Sequence, residues 1–283
     1  MSPRPSAVYK DCIITFLDLL GFSQLVDGGA SAQDIAVILD TLEMATSLDP
    51  IEGHLWGERR IAMSDSVLHV AEISPSGNPI GIDFRVLLLG LVHAQMDLVN
   101  RGIILRGAIV RGEVFIDEAS DHDGDARFFG PGYQAAHKAE SEEEFPRIIV
   151  AEELVDEIKL GKIGYAQELP DYFHKNLDEL LVHDPTGGVY TLDYLYIASF
   201  EVADPEAYCD YLAKHRDLIQ RRLNEYSSAS NVLRKYVWLA EYHNETLKKL
   251  DPSRFLDCCK VTLDSLCVSP VPPMPSNPKG GSS

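Results

Sequence analysis

The chain has 283 residues, enough for one domain with large appendages or for two small ones. Hydrophobic residues make up 45% and charged residues 24%, which excludes a wholly disordered chain. Lys and Arg number 25 against 44 Asp and Glu, so the formal net charge is −19, and neither a nucleic-acid groove nor an anionic membrane surface is expected as a partner. A small phosphate ligand stays open, because a metal ion can supply positive charge locally. The most apolar run, 86–92 (VLLLGLV), falls far short of the ~18 residues of a membrane span. The N-terminal MSPRPSAVYKDC has no apolar signal region, and a cytoplasmic protein is expected. Cys12, Cys209, Cys258, Cys259 and Cys267 form neither a CxxC nor a His-paired zinc pattern, so reduced thiols are expected.

Residues 12–18 (CIITFLD) predict a buried strand that ends on a carboxylate. Ser31 with Asp34 three residues on reads as a helix N-cap, and Ile35, Leu39, Leu42 and Ala45 then share one helical face. Short strands are predicted at 59–63 and 67–71, joined by Ser-Asp-Ser. The helical pattern of 85–100 stops at Gly102, and 103–116 returns to strand character. In order this is β-α-β-β-α-β, the ferredoxin-like plan of an α+β protein. An acidic loop over 117–125 leads to a short strand turning into a helix across 128–138. A strand at 147–151, a helix at 152–160, a strand at 188–198 and two amphipathic helices within 205–250 complete the predicted elements. The tail from Val268 is rich in Pro, Gly and Ser and is expected to be disordered.

The plan makes a geometric prediction. Its first and third strands are antiparallel neighbours, so Asp18, ending the first, should lie beside Asp65, which starts the third. Two carboxylates converging there can hold two divalent ions ~3.5–4 Å apart, as in two-metal phosphoryl transfer. The residues after Asp18, Leu19 to Phe22, lead into a helix start whose backbone N–H groups can bind phosphates. The competing reading is that Asp18 caps that helix and Asp65 sits in a β-turn. An unpartnered buried carboxylate is costly, which favours a ligand role for a carboxylate between apolar strands.

Three blocks in this order resemble the class III nucleotidyl cyclases. DLLGF (18–22) resembles their first metal motif, SDS (64–66) their second, and FGPGYQAAHKAE (129–140) their W-G-x-x-V-N-x-A-x-R-M-E segment. The resemblance implies a palm-like cyclase core with extra strands over 12–200, preceded by a segment 1–11 and followed by a C-terminal helical extension over 201–267 and the tail 268–283. It implies Mn²⁺ or Mg²⁺ held by Asp18, Asp65 and the Leu19 carbonyl, with Gly21 and Phe22 beside the substrate. Gln134 and Lys138 stand where that family has its transition-state Asn and Arg, and both can donate to a phosphate. In that family these come from the opposite protomer, so a head-to-tail homodimer with composite sites is implied. Ile61 and Arg127 occupy the purine-reading positions and match neither the adenine nor the guanine code.

FLDLLGF, MSDSV, LRGAIVRGEV, FFGPGYQAA, FPRIIV and the C-terminal KYVWLAEYHN are more narrowly similar to the pyrimidine cyclases of bacterial Pycsar antiphage systems. That likeness implies conversion of UTP or CTP to a 3′,5′-cyclic monophosphate that a separate effector reads, with UTP the expected substrate. Arg106 can reach a pyrimidine carbonyl or a phosphate, or be a surface arginine beside Gly107. Trp56 can stack on a base, though a single aromatic is more often core or rim. Arg127 is read as offsetting the acidic loop. The Asp121–Asp123–Asp125 run lacks the Gly and Glu of a calcium loop and reads as solvated. Glu140 and the three glutamates 142–144 read as a solvated cluster, and Tyr236, Trp238 and Tyr242 as packing residues. A catalytically silent cyclase-like module, or a palm-like enzyme making another product, are the other functions considered.

Overall fold

The computed structural model describes residues 8–45, 58–79, 84–117, 127–164, 177–184 and 187–250. The apolar run at the N-terminus forms β1 (Lys10–Leu20), with residues 12–17 all buried. It pairs antiparallel with β3 (Ser66–Glu72) on one side and with β4 (Ile104–Asp117) on the other. β2 (Glu58–Met63) pairs outside β3. Two crossovers pass through α2 (Ala32–Met44), preceded by the short α1 (Phe22–Asp27), and α3 (Phe84–Asn100). The strand order β2-β3-β1-β4 is the ferredoxin-like plan read from the sequence.

Local chemistry sets the ends of these elements. Ser31 caps α2, its Oγ accepting from the Asp34 N–H at 3.1 Å and donating to the Asp34 carboxylate at 2.6 Å. The buried face of α2 centres on Ile38 and Leu42, with Leu39 half-buried beside them. Gly102, at φ +80, ends α3, and Ile103 N–H turns back to Leu98 O at 2.9 Å.

The sheet continues beyond β4. After β5 (Arg127–Phe129), which pairs with the end of β4, come α4 (Pro131–Glu142) and β6 (Ile148–Ala151), the latter parallel to β4. α5 (Glu152–Lys159), α6 (Leu177–Leu180), β7 (Leu181–Asp184) and β8 (Val189–Leu192) follow, giving the order β2-β3-β1-β4-β6-β8-β7. α7 (Tyr194–Glu201), α8 (Pro205–Glu225) and α9 (Ser230–Lys249) complete the described chain.

Side chains alternate along β1 as strand geometry requires. Ile13, Leu17 and Leu19 enter the main core with α2, α3 and the C-terminal helices. Cys12, Ile14 and Phe16 face the opposite way into a smaller cluster that includes Ala136 of α4. Asp18 continues the second series.

Two expectations need correction, and two elements stand where the sequence predicts none. Residues 194–198 are not strand but the start of α7, while only 189–192 form β8. Tyr194, Leu195, Ile197, Ala198 and Ser199 are all buried, so α7 shows no polar face and its apolar run mimics a strand. α6 and β7 were not read at all. Cys12 is a free buried thiol, but Cys209 is disulfide-bonded, and no spacing pattern in the sequence announces that pairing. Trp56, the loop from 118, and the tail lie outside the described residues. Among the described residues no helix is long and apolar enough to cross a membrane.

α8 and α9 meet at a fully buried histidine pair, with His215 Nδ1 3.1 Å from His243 Nδ1 and His215 Nε2 2.8 Å from the Tyr194 hydroxyl. Desolvation, reinforced by His243, holds His215 well below the usual histidine range, and desolvation with nearby Arg216 lowers His243 to about 4. Both rings fold neutral and protonate more readily in the unfolded chain. Stability should therefore be level above the unfolded value of 6.5 and fall as pH drops from there toward 4. Urea unfolding across pH 7.5 to 4.5 should show a loss of up to about 1.4 kcal/mol per pH unit for each histidine. His243→Leu should flatten that slope; an unchanged slope would remove the pair as its source.

Candidate active site

α4 lies unusually close to the sheet. A Cβ added at Gly112 of β4 would fall 2.6 Å from the Gly132 Cα, and one added at Gly132 would fall 2.8 Å from Gly112 C. Only two glycines permit that approach. Pro131 opens the helix after Gly130, which caps it at φ +146 without a side-chain hydrogen bond. Helical spacing then divides α4, with Ala136 and Glu140 buried against the sheet and Gln134 and Lys138 exposed on the other side.

Asp18 sits directly opposite Arg106 on β4 and Ser66 on β3. Period-two alternation sends all three side chains toward the α4 side of the sheet. Arg106 Nε donates to Asp18 Oδ2 at 2.7 Å, and Ser66 Oγ donates to Asp18 Oδ1 at 3.2 Å. The other arm of the guanidinium, Nη2, lies 2.8 Å from Glu140 Oε1. Glu140 is 5% exposed, and burial raises its carboxyl pKa, with Arg106 acting against that rise. Burial lowers the ammonium pKa of Lys235 of α9, with Arg106 adding to that effect and the charges of Asp18 and Glu140 acting against it.

Asp65 stands in the β2–β3 turn beside Ser64, a non-glycine residue at φ +57. Its backbone carbonyl accepts from the Leu19 N–H at 3.1 Å, which ties the turn to the end of β1. Both carboxylate-bearing residues thus come to the same end of the two central strands. Gly21, at φ +90, caps α1 with no side-chain hydrogen bond, and a side chain there would strain the turn. Phe22 packs partly against the main core. The side chains of Ile61 and Arg127 lie outside the described residues.

Two sequence readings change here. Arg106 is no isolated surface arginine but the cation between two carboxylates. The glutamates of α4 and its end are not a solvated cluster. Glu140 is buried, Glu143 Oε2 takes Arg147 Nη2 at 3.1 Å, and Glu144 takes both arms of Arg234 at 2.6 and 3.1 Å. Glu142, 3.8 Å from Lys138, and Glu144 are exposed, so the solvated reading holds for Glu142 and in part for Glu144 and fails for Glu140 and Glu143. Glu140 lies six residues after Gln134, on the inner face set by Gly132 and Ala136, and that helical phase is the signal that could have found it. Trp238 is packing, as read, stacked between Phe145 and Tyr242 at 5.5 Å from each.

The donor set offered by Asp18, Asp65 and the Leu19 carbonyl is all oxygen. That suits Mg²⁺ or Mn²⁺ and not a zinc site of Cys and His. Among the described residues no group of three or more His, Cys, Asp and Glu converges on a metal position. Any ion here would complete its shell with water or substrate oxygens. Gln134 and Lys138, pointing away from the sheet, do not join this cluster within one chain.

Protein-family models give no match to the chain, and curated protein sequences give none. Solved structures do. The adenylyl cyclase CyaB from P. aeruginosa aligns at 17% identity over 55% of this chain and 83% of that one, with a TM-score of 0.38. A dimeric guanylyl cyclase domain of the RhoGC fusion protein from Blastocladiella emersonii aligns at 18% identity over 54% and 84%, with a TM-score of 0.37. The guanylate cyclase domain from Catenaria anguillulae, solved with GTP, aligns at 18% identity over 53% and 83%, with a TM-score of 0.34.

The glycine contact predicts a measurable cost. Gly112→Ala forces α4 away from β4 and should destabilise the fold by about 1–3 kcal/mol in urea unfolding. A loss under half that would mean α4 can shift outward freely.

Proposed function

We propose that the chain is a nucleotidyl cyclase converting a pyrimidine nucleoside triphosphate, UTP first and CTP as the alternative, to its 3′,5′-cyclic monophosphate and diphosphate. The observation that carries this reading is the placement of Asp18 and Asp65 at the same end of neighbouring strands, on the motifs that resemble the class III cyclases. Asp18, Asp65 and the Leu19 carbonyl would hold two divalent ions, Mg²⁺ or Mn²⁺. When bound, such ions polarise a ribose 3′-hydroxyl toward the α-phosphate and neutralise the triphosphate. Gly21 and Phe22 would offer backbone N–H groups to the phosphates.

Gln134 and Lys138 support the homodimeric part of the proposal by their direction. Both lie on the exposed side of α4, so within one chain they stabilise nothing at Asp18. In a head-to-tail pair, Lys138 of the partner subunit would bring a charge and Gln134 of the partner subunit a hydrogen-bond donor to the α-phosphate. Arg106 and Trp56 remain the proposed contacts to the base or phosphates. As in the Pycsar systems that the motifs resemble, the product would serve as an antiphage second messenger read by a separate effector in the cytoplasm.

A second reading, a nucleotide-binding module without turnover, is favoured by one observation: Arg106 already occupies an oxygen of Asp18. Incubation of the purified protein with ATP, GTP, CTP or UTP and Mn²⁺, with products resolved by mass, separates the two. A cyclic product from UTP or CTP alone is expected; nucleotide binding with no product from any of the four would favour the silent module. Asp65→Ala should lower turnover on the order of a thousandfold while leaving the circular dichroism spectrum unchanged. Mixing Asp65→Ala with Lys138→Ala should restore roughly a quarter of the activity, since half of the dimers are mixed and each carries one intact site. No recovery on mixing would count against sites shared between chains.

A further inference from the structure

Asp18 and Arg106 face each other across β1 and β4, and both oxygens of the Asp18 carboxylate are already engaged, one by Arg106 Nε and one by Ser66 Oγ. The three charged side chains are sheltered, with Arg106 21%, Asp18 15% and Glu140 7% exposed. Their interactions are therefore screened less than those of surface pairs. Lys235 is a further cation within electrostatic reach of the same two carboxylates. With Asp65 at the same strand end, three carboxylates stand against two cations, so the site carries no positive surplus before any ligand arrives.

Glu140 is the unusual member. Its Oε1 is buried and has no aligned hydrogen bond, although Arg106 Nη2 lies 2.8 Å away. A buried carboxylate oxygen held short of a full bond has acceptor capacity to spare. It is aimed at the one guanidinium that also holds Asp18. A divalent ion on Asp18 would stand within a few Å of that guanidinium, and like charges at that range in a sheltered site exclude each other.

We propose that Arg106 is the resident counter-ion of this site, competing with a divalent ion for Asp18, and that Glu140 is the carboxylate that takes over the guanidinium when the ion binds. Glu140 is then a positioning residue acting through Arg106. An anionic substrate that draws Arg106 from Asp18 assists the ion, so metal and triphosphate bind with positive linkage. This rests on the metal reading of Asp18 and Asp65 above.

The test is Mn²⁺ binding to the full chain without nucleotide, followed by loss of the free Mn²⁺ EPR signal at fixed ionic strength. If the guanidinium occupies Asp18 about nine-tenths of the time, Arg106→Gln tightens Mn²⁺ binding on the order of tenfold. Glu140→Gln keeps Arg106 but removes its alternative partner, and should weaken Mn²⁺ binding severalfold. The double variant should bind like Arg106→Gln alone, because Glu140 then has no guanidinium to take, whereas a merely structural Glu140 would weaken both backgrounds equally. Unchanged affinity in both folded single variants overturns the proposal. Should Arg106→Gln not fold, Glu140→Gln decides by itself. Asp18→Asn separates the two levels. If it abolishes Mn²⁺ binding while Arg106→Gln has no effect, only the counter-ion role falls. If it leaves Mn²⁺ binding intact, the metal reading falls and takes this inference with it.

Discussion

The placement of Asp18 opposite Arg106 is the contact on which the site depends, yet the ion pair is not what sets it. β1 is threaded between β3 and β4, and its alternation sends Ile13, Leu17 and Leu19 into the main core. Burying such side chains is worth about 1.5–3 kcal/mol each, against ~1 kcal/mol or less for a partly exposed ion pair. A slip of one residue would reverse every side chain of the strand. It would turn the carboxylate into the main core and Leu17 and Leu19 out of it. The hydrophobic register therefore decides where the charge stands. Arg106, Ser66 and Glu140 answer a carboxylate that packing has already fixed, and the chemistry is delivered by the core.

The same logic explains what could be read from the sequence. The β-α-β-β-α-β order was legible because each of its elements carries one clear period: the unbroken apolar run of β1, the capped face of α2, the Gly102 stop after α3. The neighbourhood of Asp18 and Asp65 followed from topology alone. α7 was misread because burial on several sides erases the helical period. Glu140 was misread for a different reason. A run of acidic residues on a helix is usually solvated, and only the close seating of α4 through Gly112 and Gly132 turns this one inward. Two glycines twenty residues apart meeting face to face is a tertiary fact with no local signature. The partnership of Arg147 with Glu143, Asp184 and Thr191 is equally non-local, joining the end of α4 to β7 and β8.

α4 carries two roles on opposite sides. Its inner side supplies Glu140 to the Asp18 cluster and Ala136 to the smaller core. Its outer side presents Gln134 and Lys138 four residues apart, on one exposed stripe. A helix seated this tightly cannot roll to exchange those sides, because the Gly112–Gly132 contact leaves no room for rotation. If Gln134 and Lys138 have the proposed role, the group they act on must come to them. A second copy of the same chain would bring its own Asp18 end to that stripe, and by symmetry receive the same service in return.

The proposed triphosphate substrate would meet an electrostatic problem at so acidic a chain. The net charge of −19 repels a triphosphate at long range, but screening over about 8 Å at physiological salt confines that effect to the surface. Around Asp18 the local balance decides. Arg106 and Lys235 stand against three carboxylates, Asp18, Asp65 and Glu140, and leave no positive surplus to attract an anion. Positive charge must then arrive with the ligand, as divalent ions do, or be released from the cluster by redistribution. Both routes meet at Arg106, since an ion that takes Asp18 frees a guanidinium already standing at the site. On the proposal above, an ion that displaces the guanidinium would turn a site with no positive surplus cationic, and tight triphosphate binding would then belong to the metal-loaded state.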